Sequence, residues 1–289
     1  MRFAITATDE FLGVFEAFVR AGWQPLKLFS GTAPGEGNLQ HSAIAFAERH
    51  HAAIQLSRMT EDDLRGLRDQ KCDALIVASY KWKIPDWEPY LKYAVNFHPS
   101  PLPEGRGPRP AIQAILEKRN VWAVTCHRVT RRFDEGAILA SEIFGLQSDE
   151  CQESLDLKIQ MAAKELARRI AGPFVDLWDH AKPQEKGSYW PGLKIEQHFI
   201  DFKKPVDGVM LRIRAFGPGQ SLANINGGCF IVKRAVGWRA KHDLAPGVIA
   251  HTHHRTMVIA ASDGYIAVLE SEGPLPFPPN CSPGGSIGG

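Results

Sequence analysis

A-V-N-F-H-P-S-P-L-P-E-G-R-G, running from Ala94 to Gly107, decides how this chain is read. The apolar run Tyr93 to Val95 has the composition of a buried strand. It delivers Asn96 and His98 two positions apart, and side chains at that spacing share one side of an extended backbone. Pro99, Pro101 and Pro103 end the strand and stiffen the exit. An amide and an imidazole therefore stand at the C-terminal end of a strand, the end at which open α/β sheets bind ligands. A second stretch, F-D-E-G-A-I-L from Phe133 to Leu139, supplies a carboxylate. Val121 to Val129 reads as a strand, and Asp134 lies in the turn before another strand, Ala137 to Phe144, with Gly136 permitting a tight turn. Asp134 beside His98 favours the imidazolium and holds the ring. Asn, His and Asp converging on one spot stabilise a developing oxyanion and move protons.

The elements around these stretches alternate. Phe3 to Thr6, Leu26 to Phe29, Ile54 to Leu56 and Ala74 to Ala78 read as strands. Between them lie helical segments: one capped by Asp9 and running to Arg20, one from His41 to His50, and one from Thr60 to Arg68 with an approximate capping box, T-E-D-D. A further helix starts at Pro110, and a long amphipathic one spans Glu153 to Trp178. This pattern predicts an α/β fold: a Rossmann-like, mostly parallel sheet with helices on both faces. No G-x-G-x-x-G follows the first strand, so a dinucleotide is not expected there.

N-F-H-P-S-P-L-P, then R-G-P-R-P-A-I-Q-A-I, then A-V-T-C-H, then D-E-G-A-I-L, in that order, resembles the 10-formyltetrahydrofolate-dependent formyltransferases. Pro101 departs from the Leu that many relatives carry at that place. The resemblance implies a catalytic trio of Asn96, His98 and Asp134. It implies 10-formyltetrahydrofolate as co-substrate, with no metal. It also implies that the loop after the fourth strand, Y-K-W-K-I-P, wraps the pteridine, so that Tyr80, Lys81, Trp82 and Ile84 join Arg106 and Gly107 as cofactor-binding candidates. An aromatic loop beside polar groups suits a flat heterocycle on physical grounds as well. His127 stands on the strand leading to Asp134 and reads equally as a pocket residue or a buried polar one. With Arg128 and Arg132 it forms the acceptor-binding candidates.

The chain's 289 residues suggest a catalytic domain over 1–180, a linker over 181–199, a small β-rich domain over 200–272 and a disordered tail over 273–289. The second domain is expected to open with a helix near Val206 to Phe216. Five short strands follow, with turns at Asn226-Gly227 and Asp263-Gly264, giving a small open β-barrel. Five cysteines without a C-x-x-C pair point away from zinc or disulfide frameworks and towards a reducing cytoplasm. H-T-H-H at 251 to 254 lacks a carboxylate or cysteine at metal-ligand spacing. No apolar run approaches the ~20 residues that span a bilayer.

The formal net charge of +2 gives no drive towards nucleic acid. Ser30 to Ala47, where methionyl-tRNA enzymes of the resembling family carry a basic loop, holds no Lys or Arg. A compact group of arginines at 128, 131 and 132 suits one or two phosphates or a carboxylate better than a polynucleotide. The expected acceptor is therefore a small anionic amine, such as a nucleotide-linked amino sugar, with no nucleic acid and no membrane as partner. The second domain would shape the pocket or an oligomer contact, a homodimer among them. Methionyl-tRNA formylation, formyltetrahydrofolate hydrolysis and non-catalytic folate binding stand as alternatives.

Overall fold

The computed structural model describes residues 1–31 and 41–275. The middle of the lysine-free loop and the end of the expected tail lie outside them. The chain divides into two compact units. One comprises Met1–Pro110, Asn120–Leu146 and Asp156–Trp190, and the other Ala111–Arg119, Gln147–Leu155 and the chain from Pro191.

The first unit is built on a seven-stranded sheet. Its strands are β1 (Arg2–Ala7), β2 (Gln24–Phe29), β3 (Ala53–Gln55), β4 (Ala74–Ala78), β5 (Tyr93–His98), β6 (Val121–Arg128) and β7 (Ile138–Gly145). The order is β3-β2-β1-β4-β5-β6-β7. The pairings from β3 to β5 are parallel, and β5–β6 and β6–β7 are antiparallel. Helices α1 (Leu12–Arg20), α2 (His41–Arg49) and α3 (Glu61–Asp69) alternate with the parallel strands, as the pattern predicts. Fully buried Phe3 meets Phe15 and Phe18 at 5.9 and 5.8 Å between ring centroids, and Trp23 meets Phe174 at 5.0 Å. These edge-on and tilted pairings are the preferred ones for aromatic quadrupoles.

Three sequence expectations change in detail. Asp9 does not cap the helix that follows it. A 3₁₀ turn, Asp9–Phe11, intervenes, and the Asp9 carboxylate accepts from the backbone N–H groups of Ser42 at 3.2 Å and Ala43 at 2.8 Å, at the start of α2. The capping box at Thr60 is complete: Asp63 N–H donates to Thr60 Oγ1, and Thr60 N–H donates to Asp63 Oδ2. The single helix expected over Glu153 to Trp178 is two, α5 (Gln152–Ile170) and α6 (Phe174–Asp179). Pro173 cannot continue α5, and the carbonyl freed at Ala171 accepts from Trp23 Nε1 at 3.2 Å.

The segment expected as a linker is laid onto the first unit along its first half. Lys182 and Ile138 exchange backbone hydrogen bonds of 2.8 and 2.9 Å. Arg106 N–H donates to Ser188 O at 3.1 Å, and Trp190 N–H to Arg106 O at 2.7 Å. Gly187 passes so close that a Cβ there would lie 1.8 Å from Pro103 O. Trp190 then stacks on Trp122, at 5.8 Å and 9° between planes.

The second unit contains α4 (Pro110–Leu116) from Ala111 on, α7 (Val206–Phe216) and an antiparallel sheet of order β10-β11-β12-β9-β8. Its strands are β8 (Leu222–Ile225), β9 (Gly228–Arg239), β10 (Ile249–His253), β11 (Thr256–Ala261) and β12 (Gly264–Leu275). Val209 and Ile213 of α7 bury against Val232, Ile259, Ile266 and Val268. Asn226 and Gly227 both take positive φ, 49° and 78°, as a two-residue Asn-Gly hairpin turn requires.

The Asp9 cap gives a direct test. Asp9→Ala should lower stability by about 1 kcal/mol in chemical denaturation, with amide exchange accelerated at the start of α2 and not in α1.

Candidate functional site

The site assembles around one carboxylate oxygen. The register of β5 on β6 sets Asn96 opposite His127. Asp134 follows in the turn between β6 and β7, at φ 57°. That turn passes close to the end of β6: a Cβ on Gly136 would stand 1.8 Å from Arg128 O. Asp134 Oδ1 lies 3.4 Å from His98 Nδ1, 3.5 Å from Asn96 Nδ2 and 3.8 Å from His127 Nε2. Its second oxygen accepts from Gly107 N–H at 3.0 Å. The trio expected from the sequence is thus together, and His127 is its fourth member.

The neighbours assign the tautomers. His127 Nδ1–H donates to Arg128 O at 2.9 Å, so Nε2 accepts from the Asn96 amide at 3.1 Å. His98 Nε2–H donates to Gly105 O at 2.9 Å, which leaves Nδ1 facing Asp134. Both rings are buried, His98 5% and His127 2% exposed. Burial disfavours an imidazolium and pushes both below the ordinary imidazole range. For His98 it outweighs the attraction of Asp134. His127 is pushed to about 4, first by burial and then by His98, with Asp134 opposing. The charged His98 expected from the sequence is therefore replaced by a neutral ring, because loss of solvent outweighs one nearby carboxylate.

The other expected residues divide. Gly107 belongs to the site through its N–H. Arg106 is engaged within the protein: Nε and Nη2 donate to Gln184 Oε1 at 3.0 and 2.8 Å. Tyr80 packs its ring on Trp82 at 5.2 Å, and its hydroxyl accepts from Met59 N–H at 2.6 Å. Trp82 covers Gly31, Lys81 Nζ sits 4.6 Å over the Trp82 ring, and Ile84 packs on the cluster containing Trp87 and Leu91. Arg128 turns away from the trio. Its guanidinium stacks 4.4 Å over Trp178 and bonds the Trp178 carbonyl. Arg132 is exposed and reaches Glu135 at 3.5 Å, as Arg131 reaches Asp86 at 3.0 Å. Among the described residues no group of three or more His, Cys, Asp or Glu is placed to hold a metal ion. No helix among them is long and apolar enough to cross a membrane.

Sequence reasoning missed Gln184 and Ser188. Gln184 Nε2 donates to Asp134 O and Gly136 O, both at 2.8 Å, and Ser188 Oγ accepts from Gly105 N–H at 2.9 Å. They sit in K-P-Q-E-K-G-S-Y-W-P-G, whose composition signals only a linker.

Residues 31–170 match the formyl transferase family model, and residues 193–274 match the model of the formyl transferase C-terminal domain. The chain belongs to the formyl transferase family. It is an enzyme of formyl transfer. A methionyl-tRNA formyltransferase of Janthinobacterium is 29% identical over 95% of this chain and 93% of its own length. One of Treponema denticola is 34% identical over 49% of this chain and 42% of its own. Among solved structures, WlaRD, a sugar 3N-formyl transferase crystallised with dTDP and 5-N-formyl-THF, superposes with a TM-score of 0.65 at 18% identity. That match covers 94% of this chain and 97% of that one. HypX of Aquifex aeolicus in complex with tetrahydrofolic acid gives 0.66 at 18% identity, covering 94% of this chain and 44% of that one. At such identities these structures share the fold.

The buried imidazoles should make this formyl transferase sensitive to acid. Both folded pKa values are depressed, so the unfolded chain binds protons first as pH falls through ~6.5. For His127 the loss of stability continues down to about 4. Unfolding free energy should therefore rise with pH across that window, and His127→Gln should flatten the slope in urea titrations.

Proposed function

We propose that this enzyme transfers the formyl group of 10-formyltetrahydrofolate to the primary amine of a small acceptor, and that Asn96, His98 and Asp134 carry the reaction. The observation that carries this reading is the single oxygen, Asp134 Oδ1, within 3.5 Å of both His98 Nδ1 and Asn96 Nδ2.

The residues fit a formyl-folate. An amide donor, a bare imidazole nitrogen and a carboxylate meet a group whose reaction develops charge on oxygen and sheds a proton from nitrogen. Residues 80–87, after β4, form no regular element, so their backbone groups suit the edge of a flat heterocycle. The folate supplies an activated formyl carbon on an amide-like nitrogen, so the protein's task is positioning and proton transfer.

His98 is neutral with its proton on Nε2, which makes Nδ1 the base for the attacking amine. Asp134, 3.4 Å away, stabilises the imidazolium that forms. The same nitrogen then returns the proton to the departing nitrogen. Asn96 keeps one N–H on His127 at 3.1 Å. Its other N–H, only loosely held by Asp134 at 3.5 Å, donates to the oxygen on which charge develops. This revises the expected role of His98 from a charged oxyanion donor to a proton carrier.

The acceptor reading rests on the absence of lysine and arginine from Ser30 to Ala47. Arg131 and Arg132 remain at the surface for an anionic group. A second reading, methionyl-tRNA as acceptor, is favoured by the near full-length similarity to methionyl-tRNA formyltransferases. Tetrahydrofolate release should be followed with a panel of small amines, with methionyl-tRNA and with no acceptor. Turnover with a nucleotide-linked amino sugar or another small amine is the expected result. Efficient formylation of methionyl-tRNA alone selects the second reading, and turnover without acceptor marks a hydrolase. Asn96→Ala, His98→Ala and Asp134→Ala should each lower kcat by about 100-fold or more. The acid limb of the kcat profile should fall below the ordinary imidazole value of ~6.5, because protonated His98 is no base; a limb above it contradicts the role.

A further inference from the structure

The Asp134 turn takes a left-handed φ of 57° at a non-glycine residue, which a loop holds only when its surroundings fix it. Two things fix it. One is Gly107 N–H on the carboxylate. The other is Gln184, half-buried on the strap of residues 182–190. Gln184 uses its whole amide. Both Nε2 hydrogens go to carbonyls of the turn, Asp134 O and Gly136 O, each at 2.8 Å. Both lone pairs of Oε1 accept from Arg106, at 3.0 and 2.8 Å. Arg106 adds a bond from Nη2 to Glu185 O at 3.1 Å and a main-chain pair with Ser188 and Trp190. The residue after Arg106 is Gly107, and a Cβ there would lie 2.1 Å from Trp190 O. One side chain therefore joins the turn carrying the carboxylate to the loop whose N–H holds that carboxylate.

We propose that Gln184 is a positioning residue for the reaction, setting the Asp134 carboxylate against His98 by clamping the Asp134 turn to the Arg106–Gly107 loop. The inference rests on the proposed function for its catalytic meaning and on the hydrogen bonds alone for its geometry. A glutamine is required: a carboxylate at this place could accept from Arg106 but would face two carbonyls with no proton to give.

The test compares the intact protein with Gln184→Ala and Gln184→Glu, with exposed Lys186→Ala as control. The first reading is the titration of the His98 ring by nitrogen-15 NMR. Asp134 is the charge that favours the imidazolium, and His127 and Arg106 are the other titratable groups in the cluster. Freeing the turn should move the His98 midpoint to lower pH in Gln184→Ala, which adds no charge, and leave it in place in Lys186→Ala. An unchanged midpoint in a folded Gln184→Ala protein overturns the proposal. The second reading is kinetic. Both Gln184 variants should lose about tenfold to a hundredfold in kcat, with KM for formyl-folate within about twofold of the parent. A rise in KM alone, or unchanged kcat, overturns it. If the parent transfers no formyl group to any acceptor, the proposed function fails, and the His98 titration still decides the role of Gln184.

Discussion

The hydrogen bond from Gly107 N–H to the Asp134 carboxylate, 3.0 Å long, is the constraint on which the site depends. It aims one carboxylate oxygen at the backbone and so leaves the other for Asn96, His98 and His127. It can form only because the chain lacks a side chain at three places. Gly107 lets Trp190 pass, Gly136 lets the turn close on Arg128, and Gly187 lets the strap press on Pro103. The sheet does the rest. Pairing of Asn96 with His127 across β5 and β6 fixes two of the four polar groups to a rigid frame, which is more precise than any loop.

Burial decides the electrostatics of the group. Two imidazoles and a carboxylate share a place with little water, and a second charge there is costly to desolvate. His98 and His127 answer by staying neutral, each passing one N–H to a carbonyl, of Gly105 and Arg128. What results is an asymmetric pair. His127 has both nitrogens engaged and serves to hold Asn96. His98 keeps one nitrogen without a proton beside a negative charge, as the proposed proton transfer requires. The same ring type takes two roles because its partners differ.

The parts legible in the sequence were those written in local pattern. The period-two placement of Asn96 and His98, the alternation of β1 to β4 with helices, and the Asn226-Gly227 turn all follow from neighbours along the chain. Charge state was not legible, because burial of His98 depends on the Gly105 carbonyl that takes its N–H and on a strand distant in sequence. The aim of Arg128 was not legible either: its stacking on Trp178 needs α6, fifty residues further on. Gln184 was hidden for a different reason. Its segment has the composition of a linker, and a polar side chain that satisfies four backbone and guanidinium contacts looks, in sequence, like one that satisfies none. Asp9 shows the same limit at smaller scale: capping chemistry was evident, but the first backbone N–H it caps, that of Ser42, lies 33 residues away in sequence.

The arginines around the Asp134 turn differ in how firmly the protein holds them. Arg128 is held by a ring face and a carbonyl, and moving it to a ligand would forfeit both. Arg131 and Arg132 differ. Their side chains are each 82% exposed, and they pair with Asp86 and Glu135, themselves well exposed. Such surface pairs contribute ~1 kcal/mol or less, so an arriving phosphate or carboxylate could take either arginine at little cost. Two exposed guanidinium groups just before the turn that holds the carboxylate are in keeping with the proposed acceptor, a small amine with one compact anionic group. A polynucleotide would gain from a wider basic field, which a net charge of +2 does not provide.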